Sequence, residues 1–380
     1  MYKSAYGLNK YGYTYNVTEY GVEIVKFNQT DYDEHLKIKD EFDKIPVVSI
    51  AKRAFKNCTA TKITVPSTLQ EIGVESFANC KKLVRINLSN CCLKNIRNRA
   101  FADCKKLSTI KFSNTLVSIG AGLFTNCINL EKIKLPSNIT SQGSSVFMNC
   151  TKLHTVKLSA GVDVIPEFTF MLCKGLKTID LPKNVKVIDT GAFTRCSLKN
   201  IEIPRNVEKI GHKAFSHNDY LETVIFRNTP SITKICSEAF SSCTNLKTID
   251  IPITIESIET QTFYSCTNLK HVKIPMSVKT IDREAFCECK RLNNIDLWPS
   301  VRRINHAAFH KCSNLRIIHV NNKIRKIEAE AFSCISDNIK LLMHEFNDGD
   351  TYAVVSLFKD KHICNSKFEL TIIPEEPTYL

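Results

Sequence analysis

Phenylalanine returns along this chain like a ruler mark: Phe55, Phe77, Phe101, Phe124, Phe147, Phe170, Phe193, Phe215, Phe240, Phe263, Phe286, Phe309 and Phe332, at intervals of 22 to 25 residues. Five residues before it stands Ile in twelve of the thirteen turns, Gln142 being the exception, and three residues after it stands Cys in eleven. A unit of this length cannot bury its own apolar face, so successive units must stack. The period therefore predicts a solenoid of about thirteen turns, running from residue 46 to 335 of the 380.

Residues 292–315 show what one turn contains. Leu292-Asn293-Asn294-Ile295-Asp296-Leu297 reads as a short strand whose Ile and Leu share one face. Pro follows that strand in several turns, for example Pro136, Pro204 and Pro275, where it ends the ladder. About ten residues separate the strand end from the Phe, too few for a full helix. The expected architecture is mainly β, with a curved parallel sheet on the concave side and short 3₁₀ or irregular back segments. Gly73, Gly120 and Gly211, each after the Ile, are expected to help a sharp bend. Phe, as the largest core residue, is the expected packing spine, with Phe193, Phe215 and Phe263 as representatives. An N-terminal β-hairpin cap is expected over 1–45, the solenoid over 46–335, and a degenerate C-terminal cap and tail over 336–380.

The chain has seventeen cysteines, and eleven of them form the Phe+3 column. A Cys fixed between a core Phe and a core Leu, as at Cys173, Cys196 and Cys266, reads as a small buried hydrophobe with a free thiol. A reducing compartment follows. Cys287-Glu288-Cys289 lacks the gap and the second ligand pair of a zinc site, so no metal or cofactor is expected. The ten His are dispersed, and neither a phosphate loop nor a nucleophile elbow is present, so no catalytic residue is assigned.

The pattern I-G-x-x-A-F-x-x-C-x-x-L-x-x-I-x-L-P stands almost complete in Ile210-Gly211-His212-Lys213-Ala214-Phe215 and in Cys266 to Pro275. It resembles the BspA-like class of leucine-rich repeats, found in bacterial surface proteins and in large protist families. Bacterial members typically carry export signals. The first twenty residues here contain no apolar signal core, and no segment approaches a membrane span or a lipidation motif. The expected location is cytoplasmic, with the cell surface by an unrecognised export route as the alternative. Asn218 replaces the column Cys after Phe215, and the next interval stretches to 25 residues, which predicts a local bulge near Arg227 to Pro230.

Outward strand positions should form columns along the concave sheet, one step per turn. Basic groups gather first, at Arg85, Lys111, Lys132, Lys134 and Lys157, and the later positions are of mixed sign, with Asp180, Glu202, Asp250 and Asp296 acidic and Lys273 basic. A second basic edge comes from Lys81, Lys82, Lys105 and Lys106. With a net charge of +14, the expected function is a non-enzymatic interaction solenoid whose concave face binds another protein. Binding of an acidic or polyanionic ligand (nucleic acid, anionic lipid or glycan) is the alternative, as is surface adhesion of the kind bacterial relatives perform. The columns hold no aromatic residue for base stacking, which disfavours a nucleic-acid reader.

Overall fold

The computed structural model describes residues 5–28, 34–228, 230–297, 300–344, 351–359 and 367–373. Two compact units make up the chain, Met1–Val185 and Lys186–Leu380. Each is a β-solenoid with two parallel strand ladders and a third wall of linked turns.

The front ladder is the L-x-x-I-x-L segment. In the first unit Lys62–Thr64, Arg85–Asn87 and Thr109–Lys111 pair in parallel with aligned register, as do Lys132–Lys134 and Thr155–Lys157. In the second unit the same ladder includes Asn200–Ile203, Thr223–Phe226, Thr248–Asp250 and His271–Lys273. Most of these strands bury their central Ile or Val and turn the neighbours on either side outward, as a two-residue period requires, Val156 being only half-buried. The second ladder is only two residues wide and ends on the repeat Ile, so that Ile96 stands opposite Ile119 in the first unit and Ile258 opposite Ile281 in the second.

The third wall is irregular. No described residue there is 3₁₀; instead two residues per turn, at Phe−2 and Phe+2, have positive φ, such as Arg53 and Asn57 (62° and 67°) or Glu284 and Glu288 (54° and 62°). Alternate peptides then face in different directions. Amides at Phe−1, Phe+1 and Phe+3 close tight turns within the unit, whereas those at Phe−2, Phe and Phe+2 donate to the following turn, as Phe77 does to Ala100 at 2.9 Å. Asn and Asp tolerate the left-handed region best. In the first unit they hold Phe+2 at Asn57, Asn79, Asp103, Asn126 and Asn149. There Asn79 donates its side-chain amide to Asn57, Asn126 to Asp103, and Asn149 to Asn126.

Behind this wall the Phe rings stack nearly parallel. Their centroids are 5.2 to 5.9 Å apart from Phe55 to Phe170. From Phe193 to Phe332 the spacing is 5.1 to 5.8 Å. This is the offset arrangement that the ring quadrupole favours. The column cysteines do more than fill space. Each thiol from Cys80 to Cys173 donates to the carbonyl of the Phe one turn earlier, at 3.1 to 3.3 Å. Cys243, Cys266, Cys289 and Cys312 do the same in the second unit. The sixteen described cysteines are free thiols.

Gly73, Gly120 and Gly211 have no positive φ, so the expected bend is not their role. A Cβ there would lie 2.4 to 2.6 Å from the backbone or side chain of the preceding turn, and glycine permits that close approach. Thr68, Thr115, Ser277 and Ser300 donate their hydroxyls to a carbonyl one turn earlier, as Asn138 and Asn184 do with their amides.

Antiparallel strands Tyr13–Thr18 and Gly21–Phe27 close the N-terminal end of the first unit, with Ala5–Lys10 outside them. Phe27 lies 5.2 Å from Phe55, so an aromatic ring covers the first rung. The end of the second unit is a strand–helix–strand rather than a degenerate turn: Asn338–His344, helix Thr351–Lys359, and Lys367–Ile373 in parallel register with the first strand. Val354, Val355 and Phe358 fall on one helical face and are buried, and Phe358 meets Phe332 at 5.2 Å.

Charged groups tie neighbouring turns of the wall together. Glu75 accepts from Arg53 at 2.7 Å and from Lys56 at 2.8 Å. These two cations, Arg53 foremost, hold its carboxyl at about 2, below the ordinary 4.5. A depressed carboxyl stabilises the fold above its unfolded value and loses that contribution as the pH falls. Wild-type stability should therefore drop between about pH 4.5 and 2, and Glu75→Gln should flatten that part of the profile in acid-unfolding measurements.

Candidate binding surfaces

In the first unit the front strands place Arg85, Lys111, Lys132, Lys134 and Lys157 on the outer face, all exposed. Lys134 stands directly opposite Lys157 in the parallel register. Like charges facing each other across a strand pair destabilise it. None of these five cations pairs with a carboxylate among the described residues, although Arg53, Arg97 and Arg99 elsewhere in the unit do. Lys81, Lys82, Lys105 and Lys106 are also exposed, on the turns just ahead of these strands.

The second unit is arranged differently. Glu202, Asp250, Lys273 and Asp296 are exposed strand residues of mixed sign, and Asp250 is the register partner of Lys273. Glu202 forms an ion pair with Arg227, while Lys247 and Lys199 flank Glu222 at 2.6 and 3.8 Å. Asp180, which belongs to the first unit, is exposed but lies outside any strand, because residues 178–180 do not join the ladder. Phe193, Phe215, Phe263, Cys173, Cys196 and Cys266 all point into the core.

Sequence reasoning missed an apolar pair. Ile253 and Met276 are 82% and 75% exposed and occupy the same place in consecutive turns of the second unit, one residue after Pro252 and Pro275. The signal was present, since the other turns hold Ser67, Ser137, Lys183 or Arg205 there.

Among the described residues, no group of three or more His, Cys, Asp or Glu could hold a metal ion. No helix among them is long and apolar enough to cross a membrane. His310 Nδ1 lies 2.5 Å from Ser333 Oγ, but the nearest carboxylate, Glu330, approaches the same Nδ1 at 4.0 Å, so no relay runs through the ring. The bulge expected near Arg227 takes positive φ at Asn228 and leaves the wall intact, since Phe215 still donates to Ala239.

The model of the BspA type leucine-rich repeat region (6 copies) matches residues 35–154, 94–222, 140–270 and 233–351. Among solved structures the chain is similar to a leucine-rich repeat protein from Bacteroides ovatus, at 29% identity and TM-score 0.74, with 96% of this chain and 100% of that one covered. It is also similar in fold to a leucine-rich cell surface protein from Faecalibacterium prausnitzii, at 24% identity and TM-score 0.55, covering 93% and 98% of the two chains. No curated protein matches it. Repeat pattern, solenoid and family model agree, and the chain belongs to the BspA-type leucine-rich repeat family.

Proposed function

We propose that this protein is a non-enzymatic interaction module that docks another protein on the front strand face. The observation that carries this reading is the run of exposed, unpaired lysines in the first unit, with Lys134 held against Lys157. An acidic partner surface relieves that repulsion on binding, which gives charge-selective attraction. In the second unit, taken by itself, the exposed Ile253 and Met276 favour a protein over a polyanion, because exposed apolar side chains are contacts that a protein surface can cover. The free-thiol column supports a reducing compartment.

The test is charge reversal at Lys111, Lys134 and Lys157 together. Affinity purification from the native cell should then lose a partner that the wild type retains, with the thermal midpoint unchanged, since exposed charges contribute little to stability. Retention of every partner would remove this face from consideration. Polyanion binding is the competing outcome. In that case affinity for heparin or single-stranded nucleic acid should fall linearly in log salt, and Lys81, Lys82, Lys105 and Lys106 should contribute about equally for every polymer tried.

A further inference from the structure

The second ladder of the second unit ends on a concentration of positive charge. Just before and at the start of each two-residue strand, a pair of residues faces outward between two buried ones. In consecutive turns these pairs read Glu256-Ser257, Lys279-Thr280, Arg302-Arg303 and Arg325-Lys326. Both amides of a pair donate to one carbonyl of the turn before: Arg302 and Arg303 to Lys279 at 2.8 and 3.2 Å, Arg325 and Lys326 to Arg302 at 2.9 and 3.3 Å. Val301, Ile304, Ile324 and Ile327 on either side are buried, so the four cationic side chains are left outside the core, and all four are exposed.

The earlier charge in this column is neutralised and the later charge is not. Lys279 reaches back one turn to Glu256 at 3.1 Å. Arg302 and Arg325 have no carboxylate at the matching place, because the residue one turn earlier is Lys279 for the first and Arg302 for the second. Arg303 stands in parallel register with Thr280 on one side and Lys326 on the other. Lys326 pairs with Glu328 at 2.6 Å, whereas Arg302, Arg303 and Arg325 form no ion pair among the described residues. Like charges held opposite each other work against the strand pair. A multiply charged anion seated across the two turns removes that opposition.

The residue type and the extent of the patch narrow the anion. A guanidinium offers a rigid fork of N–H donors that matches two oxygens of one phosphate, which a lysine ammonium cannot do. Successive rungs are about 4.8 Å apart, so forks on adjacent turns reach neighbouring phosphates of one small molecule. The patch is also short. On one side the neutralised Lys279 and then Glu256 bound it, and on the other the second ladder stops at Lys326–Ile327. A long polymer would find no continuing track of free cations along this ladder. We propose that Arg302, Arg303 and Arg325, with Lys326 at the rim, bind a compact polyphosphate, with phosphates on adjacent carbons of one small ring. The site shares no residue with the front-face lysines, so the two readings stand or fall separately.

The experiment is calorimetric titration of the full chain with inositol hexakisphosphate, a soluble ring with a phosphate on every carbon. Saturable binding of one ligand per chain is expected. Arg302→Gln with Arg325→Gln should weaken it about tenfold or more, at an unchanged thermal midpoint. Arg302→Lys with Arg325→Lys keeps the charge and removes the forks, and should weaken binding as well. Charge reversal at Lys111, Lys134 and Lys157 should leave it unchanged. Flotation with phosphatidylcholine vesicles carrying phosphatidylinositol bisphosphate tells the source of the ligand: flotation that hexakisphosphate competes away marks a lipid headgroup, and soluble binding without flotation marks a free metabolite. Absence of saturable binding, or Gln variants that bind like the wild type, would overturn the proposal. Lysine variants at full affinity would also overturn it, as would tighter binding of heparin or RNA than of hexakisphosphate, since either marks a diffuse charge field instead of a built site.

Discussion

Phe263→Ala is expected to lower unfolding stability by about 3 to 5 kcal/mol, the usual range for truncating a buried aromatic. The ring is fully buried, with Phe240 on one side at 5.8 Å and Phe286 on the other at 5.3 Å. Removing it opens a cavity between two rungs. The rungs cannot close the gap, because the wall holds their separation: the Phe263 amide donates to Ala285 at 2.8 Å, and Gln261 and Ser265 make the same bond on either side. Equilibrium denaturation of the purified variant gives the figure, and a change below about 1 kcal/mol would refute the packing role of the column.

Restoring the repeat at its two polar departures should have opposite outcomes. At Gln142, where every other turn has Ile, neither side-chain polar atom finds a hydrogen-bond partner among the described residues, although both are buried. Gln142→Ile removes an unsatisfied amide from the Ile ladder, opposite Ile119, and should stabilise the protein by about 1 to 3 kcal/mol. Asn218→Cys also moves toward the repeat. Here, however, the native side chain donates to the Phe193 and Phe215 carbonyls at 2.8 Å and accepts from the Leu198 amide. A thiol replaces one of those donors and none of the acceptor, so a buried amide is orphaned and stability should fall by about 1 to 3 kcal/mol. Thermal and denaturant melts of the two variants check both signs. If Asn218→Cys were neutral, the role of the Asn218 side chain as acceptor for the Leu198 amide would be refuted.

The fold was legible because its signal is periodic: Ile, Phe, Cys and Leu recur at fixed offsets, and each offset fixes which ladder or wall a residue joins. The back wall was not legible as such, because positive φ leaves little mark when the residue is Arg, Glu or Ser. The asparagines at Phe+2 and the glycines Gly122 and Gly191 at Phe−2 were the traces it did leave. Surface function was the least legible, since a periodic core imposes nothing on outward positions. The lysine column could be read from the strand period, but whether those lysines had partners depended on side chains from other turns. The role of Asn218 was hidden for a similar reason, as it answers a deletion twenty residues earlier in the chain.

The wall bonds all run one way. In each unit the amides at Phe−2, Phe and Phe+2 point toward the later turn, and the carbonyls that accept them point back toward the earlier one. Three peptide groups per turn are therefore aligned head to tail, as in an α-helix, whereas strand dipoles in an ordinary sheet largely cancel. Each unit thus carries a macrodipole along its wall, with the negative pole at the carbonyl end. Surface charges match the two poles: Lys52, Arg53 and Lys56 lie on the opening wall turn of the first unit, and Glu328 and Glu330 on the closing wall turn of the second. A stack of β-turns so acquires the polarity of a helix without containing one.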